Sequence, residues 1–145
     1  MNKVFIDANV LIYLFDHTSQ LHTSAKKILN NAIKNKFSIY ISHHILEEFI
    51  HVQLKLAHIT QEKDMYNRLE TDIKNIERIP KLFFVEPPET FSFLLQVIQI
   101  MQEHEILPND AYILTLLLQK ENMSLATFDK RLTKVAVKLD IPVLN

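Results

Sequence analysis

Four acidic residues, Asp7, Glu48, Asp110 and Asp129, stand where the chain passes from one element to the next. Asp7 follows the apolar run Val4-Phe5-Ile6, and Glu48 lies six residues beyond Ser42. Asp110 follows Leu107-Pro108-Asn109, and Asp129 follows Leu125-Ala126-Thr127-Phe128. Gathered at one point, four carboxylates would repel, and some would be forced to keep their protons. A divalent cation removes that conflict, and an all-oxygen donor set suits Mg2+ or Mn2+. Such an ion activates water and stabilises charge on a phosphoryl group, the chemistry of phosphodiester hydrolysis. Each acid also has a structural reading. Asp110 and Asp129 sit at expected helix N-caps, where Asp is favoured. Glu47 beside Glu48 leaves the second acid open by one position. Asp7 is hardest to explain by structure, because an acid ending a buried strand is costly unless paired or used.

Two further groupings bear on chemistry. His44, Glu48 and His51 fall at i, i+4 and i+7, a spacing able to bind zinc, although no HExxH motif is present. Lys130, Lys134 and Lys138 recur every four residues with Arg131 alongside, immediately after Asp129. That stripe is expected to contact phosphates. Lys26, Lys27, Lys34 and Lys36 form a second basic cluster.

The elements that position these residues follow from periodicity. Apolar runs at Lys3–Ile6, Phe37–Ile41, Leu82–Val85, Ser124–Ala126 and Pro142–Leu144 read as short buried strands. Helical spacing marks the segments between them. A short helix follows Asp7, and a longer one, capped by Thr18 or Ser19, carries Leu21 to Ile33. Ser42 caps a helix through Leu56, and Thr60 is expected to start another that Pro80 ends. Pro87-Pro88 precedes a helix with Phe91 to Met101, a further helix follows Pro108, and the last runs from Asp129 to Lys138. Strands alternating with helices imply an α/β fold with three layers, helices on both faces of a central parallel sheet of about five strands. In such folds ligands sit beyond the carboxyl ends of the strands, where the acids fall.

The 145 residues are read as one domain, 1–145. The net charge of −1 excludes nucleic-acid binding by a basic coat, but leaves room for a local stripe. The chain has no Cys, which excludes disulfides, thiolate zinc and a cysteine nucleophile, and fits a reducing cytoplasm. It has no Gly, which excludes glycine-rich phosphate loops and leaves turns to Asn, Asp, His and Pro. Neither a membrane span nor a signal peptide is expected.

Four motifs in order carry a resemblance: Phe5-Ile6-Asp7-Ala8-Asn9-Val10-Leu11-Ile12, Ser42 with Glu48, Leu107-Pro108-Asn109-Asp110-Ala111, and Leu125-Ala126-Thr127-Phe128-Asp129-Lys130. The set resembles the PIN-domain ribonuclease family, most of all its small VapC-type toxins. The resemblance implies a metal-dependent endoribonuclease using Mg2+ or Mn2+, leaving 5′-phosphate and 3′-hydroxyl ends. It further implies Asp7, Glu48, Asp110 and Asp129 as metal-binding acids, with Asn9 and Thr127 supporting the site through hydrogen bonds. A small antitoxin partner and a homodimer are implied as well. Leu11, Ile12, Leu14 and Phe15 offer apolar surface for an interface. Where family members often place Gly ahead of the fourth strand, this chain has Glu121-Asn122-Met123. Two other functions compete. A non-catalytic RNA-binding or scaffold module would keep the fold without the chemistry. A phosphatase of the haloacid dehalogenase class would use Asp7 as nucleophile, but it wants Asp-x-Asp followed by Gly, where this chain has Asn9 and no Gly.

Overall fold

A computed structural model describes residues 2–144. Its strands are β1 (Lys3–Ile6), β2 (Ser38–Ile41), β3 (Leu82–Phe84), β4 (Met123–Ala126) and β5 (Val143–Leu144). Its helices are α1 (Ala8–Phe15), α2 (His22–Lys34), α3 (His43–Ile59), α4 (Met65–Glu77), α5 (Phe91–His104), α6 (Pro108–Leu118) and α7 (Lys130–Lys138). The strands form one parallel sheet in the order β3-β2-β1-β4-β5. Phe5 lies opposite Tyr40 on one side and Leu125 on the other. The central strands are buried on both faces, so apolar residues stand at consecutive positions, Val4-Phe5-Ile6 in β1 and Leu125-Ala126 in β4, rather than alternating.

Strand order matters for the site. The chain builds outward from β1 through β2 to β3, then returns to lay β4 on the other side of β1. With the right-handed crossovers that such connections adopt, α1–α4 cover one face and α5–α7 the other. The order therefore reverses between β1 and β4, and the crevice beyond their carboxyl ends is the favoured place for a ligand. Asp7 follows β1 directly, and Thr127 follows β4.

Several local expectations need correction. Thr60 closes α3 instead of opening α4: its hydroxyl donates to the Leu56 and Ala57 carbonyls. Gln61 then takes φ 54° and turns the chain, so α4 begins only at Met65. Neither Thr18 nor Ser19 caps α2. Thr18 is held by Asp16, and the Ser19 hydroxyl accepts from Leu21 N, one step before the helix. Asp110 is not an N-cap, because Leu107 occupies that position and Asp110 is the third residue of α6. The expected interface on α1 is largely filled from within. Leu11 is buried, and Ile12, Leu14 and Phe15 are partly buried against the core, Phe15 edge-on to Phe49.

Left-handed backbone occurs at Lys36, Gln61, Lys81, Glu105, Asn122 and Asp140. Only Asn122 and Asp140 are of the expected turn types; Lys, Gln and Glu fill the rest. For a residue with a Cβ this region costs about 1–2 kcal/mol. Asn122 lies immediately before β4, and Asn tolerates the region best of the non-glycines.

Candidate active site

Asp7 is the N-cap of α1, with φ −74° and ψ 153°. Its Oδ1 accepts from Ala8 N at 2.7 Å. Its Oδ2 accepts from Thr127 Oγ1 at 2.6 Å and from Asn9 Nδ2 at 2.8 Å. Asn9 also donates to Thr127 Oγ1 at 3.1 Å and accepts from Phe128 N at 3.1 Å. Asp129 N donates to Thr127 Oγ1 at 3.0 Å. Asp7 N continues the ladder to the Ala126 carbonyl. These bonds sew the end of β1 to the end of β4 and leave Asp7 with one orientation. Thr127 is fully buried, so its hydroxyl has no solvent to turn to.

The Asp7 carboxylate is only 6% exposed. Burial raises its pKa from 3.8 to about 6, against the hydrogen bonds from Thr127 and Ala8, which lower it. The charges of Glu48 and Asp110 add to the rise. Asp110 is raised too, first by burial, then by Asp129 and Glu48, while Arg131 opposes. All four acids thus share one electrostatic neighbourhood. Among the described residues none of the four is in an ion pair.

Geometry separates the two glutamates. Glu48 is half-buried, and its charge reaches Asp7 and Asp110. Glu47 is exposed and lines a neighbouring hollow with His44 and Tyr112. Asp129 caps α7, its Oδ1 accepting from Arg131 N and Leu132 N. That leaves Oδ2 for any ligand. Lys130, Arg131, Lys134 and Lys138 are exposed on α7, opposite the buried Leu132, Val135 and Ala136. The Arg131 guanidinium donates to the Glu105 carbonyl, a tie to the end of α5 that spacing could not reveal.

The donor chemistry fits a hard cation: oxygens only, like charges unrelieved, and a buried carboxylate that pays for its ionisation. Among the described residues, however, no three His, Cys, Asp or Glu side chains are gathered tightly enough to hold a metal ion. The histidine grouping on α3 does not assemble. His43 Nδ1–H donates to Glu86 Oε1 at 2.7 Å and its ring stacks on Phe84, His44 lies beside Tyr112, and His51 is exposed.

A family model described as PIN domain matches residues 4–138. Solved structures share the fold. VapBC2 from Rickettsia felis, bound to a DNA fragment from their promoter, is 16% identical with a TM-score of 0.67, covering 99% of this chain and 98% of that one. FitAcB from Neisseria gonorrhoeae is 19% identical with a TM-score of 0.66, covering 98% and 96%. PAE2754 from Pyrobaculum aerophilum is 18% identical with a TM-score of 0.63, covering 92% and 86%. No curated protein matches in sequence.

Proposed function

The chain belongs to the PIN domain family, and from that membership we propose that it is a metal-dependent endoribonuclease, the toxin of a toxin–antitoxin pair. The observation that carries the reading is Asp7: an acid at the switch point of the sheet, without an ion pair, its pKa raised first by burial and then by Glu48 and Asp110. A fold that needed only a helix cap would keep it neutral by using Ser or Asn. Mg2+ or Mn2+ bound among Asp7, Glu48, Asp110 and Asp129 would supply a Lewis acid and an activated water for phosphodiester hydrolysis.

The chain's own residues do the rest. Asn9 and Thr127 hold Asp7 in one orientation, so little rearrangement is left for the moment of reaction. Lys130, Lys134 and Lys138, on the helix that Asp129 opens, would grip phosphates flanking the cleaved bond. Arg131 lowers the cost of ionising Asp110. The proposed site of action is the cytoplasm; among the described residues no helix is long and apolar enough to cross a membrane.

A protein partner has support in α5. Phe91, Leu94, Leu95 and Ile98 form an exposed stripe at i, i+3, i+4 and i+7, with Phe91 86% exposed. Apolar surface of this kind marks an interaction face. Self-association through this stripe and an antitoxin over the acid site complete the proposal, an antitoxin partner being supported by the likeness to VapBC2 and FitAcB.

The test is cleavage of a single-stranded RNA with and without a chelator. The native chain should cut only with Mg2+ or Mn2+ present, and Asp7→Asn should lose about a hundred- to a thousandfold, the scale of losing one strong electrostatic contact. RNA binding with cleavage no faster than Asp7→Asn would overturn the nuclease reading and favour a non-catalytic RNA-binding module.

A further inference from the structure

We propose that His17 and His22 form a second cation site, a two-imidazole chelate for a divalent transition metal such as Zn2+, separate from the acid cluster. His17 Nδ1 and His22 Nε2 stand 3.3 Å apart. Two nitrogens at 2.0–2.1 Å from a tetrahedral zinc ion are separated by about 3.3–3.4 Å. The ring planes are inclined at 66° with centroids 4.6 Å apart, so the nitrogens face each other without the rings stacking.

The second ring nitrogen of His22 decides its tautomer. His22 Nδ1 lies 3.0 Å from the Tyr13 carbonyl, which can only accept, so Nδ1 carries the proton and Nε2 keeps its lone pair. A histidine anchored to a backbone carbonyl through its other nitrogen is the usual arrangement of a metal ligand. Without metal, His17 Nδ1–H donates to that lone pair. With metal, the His17 proton moves to Nε2 through solvent, and the cation takes the place it left, with no net proton released.

The loop between the histidines is already shaped. Asp16 Oδ1 accepts from Thr18 N at 3.0 Å and Thr18 Oγ1 at 2.7 Å. Ser19 Oγ accepts from Leu21 N at 3.1 Å, and His22 N donates to the Ser19 carbonyl at 3.1 Å. The pair joins the end of α1 to the start of α2. Among the described residues no third His, Cys, Asp or Glu completes the group. The remaining positions go to water, and imidazole selects Zn2+ over Mg2+.

Zinc titration of the full-length chain by calorimetry, in saturating Mg2+ and in an Asp7→Asn background, tests the site. One equivalent of Zn2+ should bind, and His17→Gln, an exposed position that leaves the loop bonds intact, should weaken it at least tenfold. His22→Asn should do the same, while His104→Ala should not. NMR should show the His17 and His22 ring signals moving first on zinc addition. Zinc binding as tight in His17→Gln as in its parent, or no zinc binding at all, overturns the proposal. Neither result depends on RNA cleavage, so loss of the nuclease reading would leave this one standing.

Discussion

Replacing Asp7 by Asn should make the metal-free protein more stable at alkaline pH and less stable in acid. Burial moves the Asp7 carboxyl from 3.8 to about 6. At about 1.4 kcal/mol per pH unit, ionising it in the fold costs about 3 kcal/mol. The folded-state value is raised, so the fold favours the neutral acid. Below about pH 4 both folded and unfolded chains hold the proton and the penalty is absent. It grows as the unfolded chain ionises first, and is fully present above about pH 6. Asn removes the charge but cannot match every partner. Oδ1 accepts from Ala8 N, and Oδ2 accepts from both Thr127 and Asn9, whereas an amide has one acceptor oxygen. One hydrogen bond is lost, worth about 1 kcal/mol. Asp7→Asn should therefore gain about 2 kcal/mol at pH 8 and lose about 1 kcal/mol at pH 4. Urea unfolding of both proteins with chelator, at pH 4, 6 and 8, measures this directly. In thermal melts the pH 8 gain should appear as a rise of about 5–8 °C for a chain of this size. Added Mg2+ should then stabilise the native chain and not the variant. A variant that is less stable at pH 8, or whose difference from the native chain is the same at pH 4 and pH 8, would refute the reasoning that burial and like charges govern Asp7.

Three other outcomes are expected. Thr127→Val should cost about 2–3 kcal/mol in urea unfolding, because it strands donors and acceptors around a fully buried hydroxyl, and Thr127→Ser should recover most of it. Thr127→Val should also move the Asp7 titration upward, since that hydrogen bond is the largest influence holding it down. Converting Lys130 and Lys134 to Glu, in an Asp7→Asn background that cannot cut, should weaken RNA binding. It should also flatten the salt dependence by about 1.4 in log–log slope if each lysine neutralises one phosphate, measured by filter binding across a salt series. Leu95→Glu with Ile98→Glu should shift sedimentation toward a monomer without lowering the melting temperature, because both side chains are more than half exposed in the single chain.

Much of the site was legible in the linear chain. Continuous apolar runs marked the strands, and an acid directly after a buried run has few bland explanations, so Asp7 could be placed from its neighbours alone, whereas Asp129 was equally legible as the cap of α7 that it is. Asn9 and Thr127 were legible through the motifs around them. Choosing Glu48 over Glu47 was not, because adjacent positions on a helix point about 100° apart and only the packing of α3 decides which faces inward. The role of Thr60 and the late start of α4 depended on side-chain bonds to carbonyls that periodicity does not encode. The left-handed backbone at Lys36, Gln61, Lys81 and Glu105 ran against residue preference, since a chain without glycine must seat its turns wherever the packed elements demand them. Local pattern determined which segments became strands and helices and where acids could stand. The order β3-β2-β1-β4-β5, the reversal beside β1 and the bond between Asp7 and Thr127 were decided by tertiary structure, because contacts between segments over a hundred residues apart form only when the sheet closes around its core.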